Sequence, residues 1–350
     1  YKFTGWTVEG LDGTTTINSG ESFTMPNGNV TLTANWEEQK IEDYITLTPT
    51  DVTKPYDGNS YAAGTATVEG KKEYSVLTGL TLEYSLDGNT WTIDPSTITA
   101  TNVSDSKTVK VRVSSDNYTG KLEDTEELTI SPRQVKLTSE GGTKPYDGTA
   151  LTKPAVKVSG DGFVEGEVSD IKATGSVTTV SEGKVTNTIR FTEGAGYKGD
   201  NYTIFKEEGK LSITAQSIDP GTDPEKPNPD YTGAKVNNPK DEVYDGNEHK
   251  WIPTVTDKAD KKLEAGKDYT VEYSTKNFKD VGTIDVTITG IGNYTGTVKR
   301  SYKVTPKEYT VTTDSATKIY SGTALTAGGK VEGIVSGETV EFTTTGSQTE

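Results

Sequence analysis

A five-residue motif recurs along this chain, and a polypeptide that repeats itself at module length is not built around one shared core. Lys54-Pro55-Tyr56-Asp57-Gly58 returns as Lys144-Pro145-Tyr146-Asp147-Gly148. It returns more loosely as Val243-Tyr244-Asp245-Gly246 and as Lys318-Ile319-Tyr320-Ser321-Gly322. Successive copies stand about 75 to 100 residues apart, the size of one small sandwich or barrel. Asn117-Tyr118-Thr119, Asn201-Tyr202-Thr203 and Asn293-Tyr294-Thr295 follow the three complete copies. A third marker closes each module: Leu128-Thr129-Ile130-Ser131-Pro132, then Leu211-Ser212-Ile213-Thr214, then Tyr302-Lys303-Val304-Thr305-Pro306. The ordered markers place modules at 39–133, 134–216 and 236–307, with a truncated one at 308–350 and a separate piece at 1–38.

Within each module the pattern is that of strands. Val109, Val111 and Val113 alternate with polar residues, as do Ile284, Val286 and Ile288; Leu82, Tyr84 and Leu86 match Tyr269, Val271 and Tyr273. A period of two marks strands with one buried face and one wet face. No segment carries a 3.6-residue amphipathic period. Asp87-Gly88, Asp147-Gly148 and Asp161-Gly162 supply turn residues able to take positive φ. Between 217 and 235 the chain is proline-rich, with Pro220, Pro224, Pro227 and Pro229. Each removes a backbone donor and fixes φ, so this stretch reads as a semi-rigid linker and a module boundary.

Composition narrows the function. Apolar residues make up only 30% of the 350, which suits several thin cores better than one large one. A net charge of -16 argues against nucleic acid, whose phosphates need clustered Lys and Arg. The absence of cysteine removes disulfides, thiolate metal sites and cysteine nucleophiles together. No run of 18 apolar residues exists, so no transmembrane helix is expected. The start at Tyr1 and the end at Glu350 read as those of an internal piece, with signal and anchor elsewhere.

Phe3-Thr4-Gly5-Trp6, Phe23-Thr24-Met25-Pro26 and Val30-Thr31-Leu32-Thr33-Ala34-Asn35-Trp36 resemble the C-terminal half of the internalin B-repeat, also called the Listeria–Bacteroides repeat. That resemblance implies a partial β-grasp-like surface module at 1–38. The motif copies at Lys54 and Lys144 resemble the YDG and MBG families of bacterial surface repeats over 39–350. This second resemblance implies Ig-like β modules of long adhesins, and it carries over no catalytic residue. The third copy lacks the Lys-Pro prefix and the fourth has Ser321 in place of aspartate.

Several residues admit a chemical reading beside a structural one. The tyrosine and aspartate of the motif are able to stack on a sugar and bind its hydroxyls; structurally, the tyrosine closes a core and Asp-Gly makes the turn. Asn-Tyr-Thr is a glycosylation sequon by pattern, and also the place for a structural tyrosine like an Ig tyrosine corner. Lys54, Lys144 and Lys318 with the marker asparagines are candidates for intramolecular isopeptide bonds, yet lysines beside turns are normally solvated. Asp116, Glu123, Asp124, Glu126 and Glu127 form an acidic surface and lack the spacing of a calcium loop. His249, the single histidine, lies in a polar run with no nucleophile motif and reads as a surface residue.

The sequence therefore predicts an all-β chain of tandem Ig-like sandwiches of about seven strands each, in an elongated monomeric array. It predicts no enzyme activity, no cofactor, no metal site and no membrane insertion. The expected role is a stalk or adhesion region of a bacterial cell-surface or secreted protein. Two alternatives stay open: modules that themselves bind host glycan, mucin or matrix protein, and accessory modules of a secreted carbohydrate-active enzyme.

Overall fold

The computed structural model describes residues 1–11, 13–71, 78–220 and 234–350. Among them there is no α-helix, and the five helical turns are short 3₁₀ turns. The chain is all-β, as its alternating pattern requires. It divides into two compact units, one of Tyr1–Ser139, Ala155–Ala173 and Ile189–Glu207, the other of Glu140–Pro154, Thr174–Thr188 and Glu208–Glu350.

The first unit opens with a three-stranded antiparallel sheet in which Lys2–Leu11 lies between Gly13–Ile17 and Thr31–Glu37. Gly5, at φ +134, sits where any Cβ would fall 2.4 Å from the Ile17 carbonyl oxygen, which explains glycine in Phe3-Thr4-Gly5-Trp6. A four-stranded sheet follows, in the order Val52–Pro55, Leu122–Ser131, Lys107–Ser115, Leu80–Ser85. Val52–Pro55 runs parallel to its neighbour and the other pairs are antiparallel. The alternation is realised as written: Val109, Val111 and Val113 are fully buried, with Leu128, Ile130, Ile45 and Tyr84 around them. Each such aliphatic side chain contributes about 1.5–3 kcal/mol by leaving water. Two short ladders, Ile45–Thr48 with Thr67–Gly70 and Tyr61–Ala62 with Thr99–Ala100, supply other strands of this repeat.

Leu86 departs from the expected pattern and is 52% exposed. The strand stops at Ser85, whose buried hydroxyl accepts from the Gly88 N–H at 2.8 Å and donates to Asp87. The turn thus captures the strand end and swings Leu86 outward.

Also in the first unit, Arg133–Ser139 lies between Val156–Gly160 and Tyr202–Glu207, and Val168–Ala173 pairs with Ile189–Glu193. Val135, Leu137, Ile189 and Tyr202 join the same apolar cluster as Tyr56 and Val111. The remaining strands of 134–216 belong to the second unit: Gly142–Pro145, Lys210–Thr214 and Val185–Thr186 form one sheet, and Leu151–Thr152 pairs with Ser176–Val177. The segment expected as one module is thus divided between two contact units. Within the first unit its sheet shares an apolar cluster with the preceding repeat, which draws it there.

The second unit carries a four-stranded sheet of the same design as the first: Glu242–Val243, Thr297–Thr305, Gly282–Gly290, Tyr269–Tyr273. Its short first strand is again parallel to its neighbour. Ile284, Val286, Ile288, Tyr302 and Val304 are buried at its centre. Thr310–Thr313 and Gly329–Glu332 make the hairpin of the last segment.

The boundary expected at 217–235 moves. Gln216–Ser217 pairs in parallel with Tyr294–Thr295, and Ile218 is fully buried in the core with Ile288 and Tyr294. Its N–H donates to the Thr295 carbonyl just as the Ile41 N–H donates to that of Thr119. The third repeat therefore begins at 216, and Lys235–Val236 on the far side pairs with Val255–Thr256 of the same repeat. The proline-rich stretch is an insertion within this repeat. Pro224, Pro227 and Pro229, on which the spacer expectation rests, lie outside the described residues.

Candidate functional site

The recurring motif is the natural candidate, and its aspartate is a turn residue in every copy that has one. Asp57 accepts from the Asn59 N–H at 2.9 Å and from the Tyr61 hydroxyl at 2.6 Å, while Gly58 takes φ +84. The Tyr61 hydroxyl and the Asn59 N–H hold the Asp57 carboxyl below its ordinary range. Asp147 accepts from the Thr149 N–H at 2.9 Å and pairs with Lys144 Nζ at 2.8 Å, which together lower its carboxyl strongly. Asp245 accepts from the Asn247 N–H at 2.9 Å. Ser321 keeps the arrangement with Oγ 3.0 Å from Thr323 Oγ1 and Gly322 at φ +77. In each copy with an aspartate at least one carboxylate oxygen is engaged by the turn itself, which gives the aspartate a structural role.

The tyrosine leads elsewhere. Tyr56 is 3% exposed, and its ring meets that of Tyr202, in the second Asn-Tyr-Thr marker, edge to face with centroids 5.6 Å apart. Both hydroxyls donate to one buried carboxylate: Tyr56 to Glu167 Oε1, and Tyr202 to Glu167 Oε2 at 2.6 Å. Tyr202 also accepts from the Val164 N–H at 3.0 Å. Burial, reinforced by the hydrogen bond to Glu167, pushes the Tyr56 hydroxyl up to about 12 and raises that of Tyr202 as well. Both stay protonated donors at any physiological pH. Arg133 completes the cluster, donating to three backbone carbonyls: from Nε to that of Gly162 at 2.8 Å, from Nη2 to that of Asp161 at 2.6 Å and from Nη1 to that of Tyr56 at 3.2 Å.

The marker asparagines are tied in as well. Buried Asn201 accepts from the Val103 N–H at 2.9 Å and donates to Asn102 Oδ1 at 3.0 Å. Asn293 accepts from the Val180 N–H at 2.9 Å. In the second unit Tyr146 meets Tyr294 edge to face at 5.5 Å, and Tyr294 lies 3.4 Å from Asp257 Oδ2. The tyrosine of the marker is structural, and Asn201 offers no open sequon. Asn117, in the first copy, is exposed and donates to the Thr78 carbonyl at 3.3 Å.

The other singled-out residues sort as follows. Lys144 Nζ is bonded to Asp147 and Thr149, and Lys318 Nζ to Thr323 and the Ala324 carbonyl; Lys54 Nζ lies 5.9 Å from the Tyr61 ring centroid. The asparagines bond other groups, so the structure does not bring the isopeptide partners together. Glu126 corrects the acidic-surface expectation: it is 1% exposed and faces the core, because it falls on the inward register of its strand with Leu128 and Ile130. Its burial raises the carboxyl above its ordinary value. His249 corrects the surface expectation: its side chain is only 14% exposed, and Nε2 is buried 2.9 Å from Asp245 Oδ1, beside the third motif.

Among the described residues, no three His, Cys, Asp or Glu side chains gather as metal ligands, and no helix is long and apolar enough to cross a membrane. A surface hollow of about 500 Å³ lies over Ile252, Pro253, Leu263 and Tyr269, with Lys262 and Glu264 as its charged groups. Phe3 contacts both Trp6 and Trp36 edge-on at 5.2 and 5.3 Å, and the two indoles are 38% and 60% exposed. Glu167 and Arg133 lie outside the three recurring markers. The signal for Glu167 is the recurrence of its loop, Gly162-Phe163-Val164-Glu165-Gly166-Glu167, as Gly333-Ile334-Val335-Ser336-Gly337-Glu338.

A family model described as the divergent InlB B-repeat domain matches residues 1–40, which supports the resemblance read at 1–38. No curated protein matches the chain. Among solved structures, the I-band fragment I67-I69 from titin is 12% identical with a TM-score of 0.29, covering 76% of this chain and 98% of that one. Drosophila N-cadherin EC1-4 is 11% identical with a TM-score of 0.22, covering 76% of each chain. Sidekick-1 immunoglobulin domains 1-5 are 11% identical with a TM-score of 0.19, covering 82% of this chain and 66% of that one.

Proposed function

We propose that this chain is a non-catalytic repeat region of a bacterial cell-surface or secreted protein, a stalk of YDG/MBG-like modules behind a B-repeat-like piece, holding a functional head away from the cell wall. One observation carries the reading. The residues that recur along the sequence are spent on turns and on contacts from one repeat to the next, as Asp57 and the Tyr56–Glu167–Tyr202 cluster exemplify. Selection on an active site would instead leave polar groups converging on an open cleft. The -16 net charge favours a chain that stands off from anionic surfaces. Displayed on a cell, the native length exposes a terminal tag to antibody beyond the wall polymer, and deletion of whole repeats buries it. A tag equally accessible at every length refutes the stalk.

A second reading, that the modules bind host glycan, mucin or matrix protein, is favoured by the exposed indoles of Trp6 and Trp36, since aromatic faces stack on sugars. It predicts retention of the whole chain on a mucin or glycan array, lost in the Trp6→Ala, Trp36→Ala variant. The stalk reading predicts no retention. Attachment to a secreted carbohydrate-active enzyme would place a catalytic domain elsewhere in the same open reading frame.

A further inference from the structure

We propose that the Tyr-Asp-Gly motif is the socket of a joint between repeats, and that the Gly-Φ-Val-x-Gly-Glu loop of the following repeat is the plug that latches it at the first and third motifs, Φ being a large apolar residue. Two sequence-distant places show the same contact. Tyr56 donates its hydroxyl to Glu167, and Tyr244 donates its own to Glu338. Beside each tyrosine, the motif glycine faces the valine of the loop. A Cβ on Gly58 would meet Val164 Cγ1 at 3.3 Å, and one on Gly246 would meet Val335 Cγ1 at 2.8 Å. Both glycines have positive φ, so the residue type serves the turn and the close approach together. Each loop is folded alike, with the glutamate N–H donating to the valine carbonyl at 3.2 and 3.0 Å. The plug is a preformed turn that presents one carboxylate to one phenol.

A second pair of contacts, made by the Asn-Tyr-Thr marker, belongs to the same joint. Tyr56 with Tyr202 and Tyr146 with Tyr294 are both edge-to-face pairs between a motif tyrosine and the marker tyrosine of the next repeat. Asn201 and Asn293 each accept from the first N–H of a 3₁₀ turn of the repeat before, at Val103 and Val180. The first-to-second joint has all these contacts. The second-to-third joint keeps the tyrosine pair and the asparagine cap, but there Asp257 stands against Tyr294 and the Gly-Φ-Val-x-Gly-Glu loop is replaced. The third-to-fourth joint has the glutamate latch. At the fourth motif Ile319 and Tyr320 are 93% and 75% exposed. The motif is therefore a repeat-to-repeat address, and the glutamate decides whether a joint is latched. This holds whether or not the array carries an adhesive head.

The native chain has no cysteine, so paired spin labels report single distances. Exposed Glu69→Cys and Lys157→Cys flank the first joint, and Lys184→Cys and Lys299→Cys flank the second. Pulsed electron spin resonance on the full chain is expected to give one narrow peak for the first pair and a broader one for the second. Val164→Asp, which puts a second charge beside Glu167, and the milder Glu167→Gln each abolish the narrow peak. A control pair inside the first repeat, Glu69→Cys with Thr81→Cys, keeps its distance. A narrow peak that survives both variants overturns the proposal, as does a second joint as sharply defined as the first. If Val164→Asp disturbs the control pair, Glu167→Gln alone decides.

Discussion

Glu126 is the least comfortable side chain in the first repeat, and removing its charge should stabilise the protein. It is 1% exposed, and its carboxylate faces the Thr50 and Gly64 amides without a well-aligned hydrogen bond to either. Burial is the main cause that raises its carboxyl above the ordinary 4.5, and nearby Asp51 adds to the rise. Because the folded state then holds the proton to higher pH than the unfolded chain, the contribution of this group to stability is greatest below 4.5 and falls as pH rises through the folded value. An unsatisfied buried polar group costs about 1–3 kcal/mol. Gln stays a buried polar group but carries no charge, and the Thr50 and Gly64 amides oppose the rise, so Glu126→Gln should gain no more than about 1 kcal/mol at pH 7. The gain should vanish near pH 4, where both side chains are neutral. Native-state hydrogen exchange at Val109, Val111, Leu128 and Ile130 reads the stability of this repeat alone, which a global melt of a multi-repeat chain does not. A loss of protection at pH 7, or an equal gain at pH 7 and pH 4, refutes the reasoning.

Gly64→Ala would place a Cβ 1.9 Å from the Thr50 carbonyl oxygen, so it should lower exchange protection in the first repeat by about 1–3 kcal/mol or more. Ile288→Ala empties the centre of the third-repeat core and should cost about 2–5 kcal/mol there, with exchange at Val109 and Val111 unchanged; equal losses in both repeats contradict separate cores. Hydrogen bonds from the Thr90 and Asn89 amides lower the Asp87 carboxyl to about 2. The turn it caps should therefore persist as pH falls through 3.8 and titrate near 2, read as the midpoint of the Asn89 and Thr90 amide shifts.

The strands were legible because their signal is local. Val109, Val111 and Val113 announce a half-buried strand in five residues, and the structure buries all three. Asp-Gly pairs announce turns for the same reason, since only a few residues take positive φ at low cost. Glu126 defeats a compositional reading because its register, and not its charge, decides which way it faces. The proline-rich stretch misled in the opposite way: prolines report that a segment leaves its sheet, but not whether the chain returns to the same repeat afterwards. Gln216-Ser217-Ile218 held that information in its likeness to Gln39-Lys40-Ile41, a match at two positions of three and too short to stand out beside four prolines. Glu167 was hidden because the partner of a motif tyrosine lies 111 residues away, and only the recurrence of its loop at 333–338 marks it.

Pulling the whole chain from its ends in a single-molecule force experiment tests most directly whether successive repeats carry their own cores. The account predicts a sawtooth of separate events. Each releases about 25–30 nm, the contour of one repeat at about 0.34 nm per residue less its folded length. One cooperative event freeing on the order of 100 nm, or a featureless extension, would contradict it.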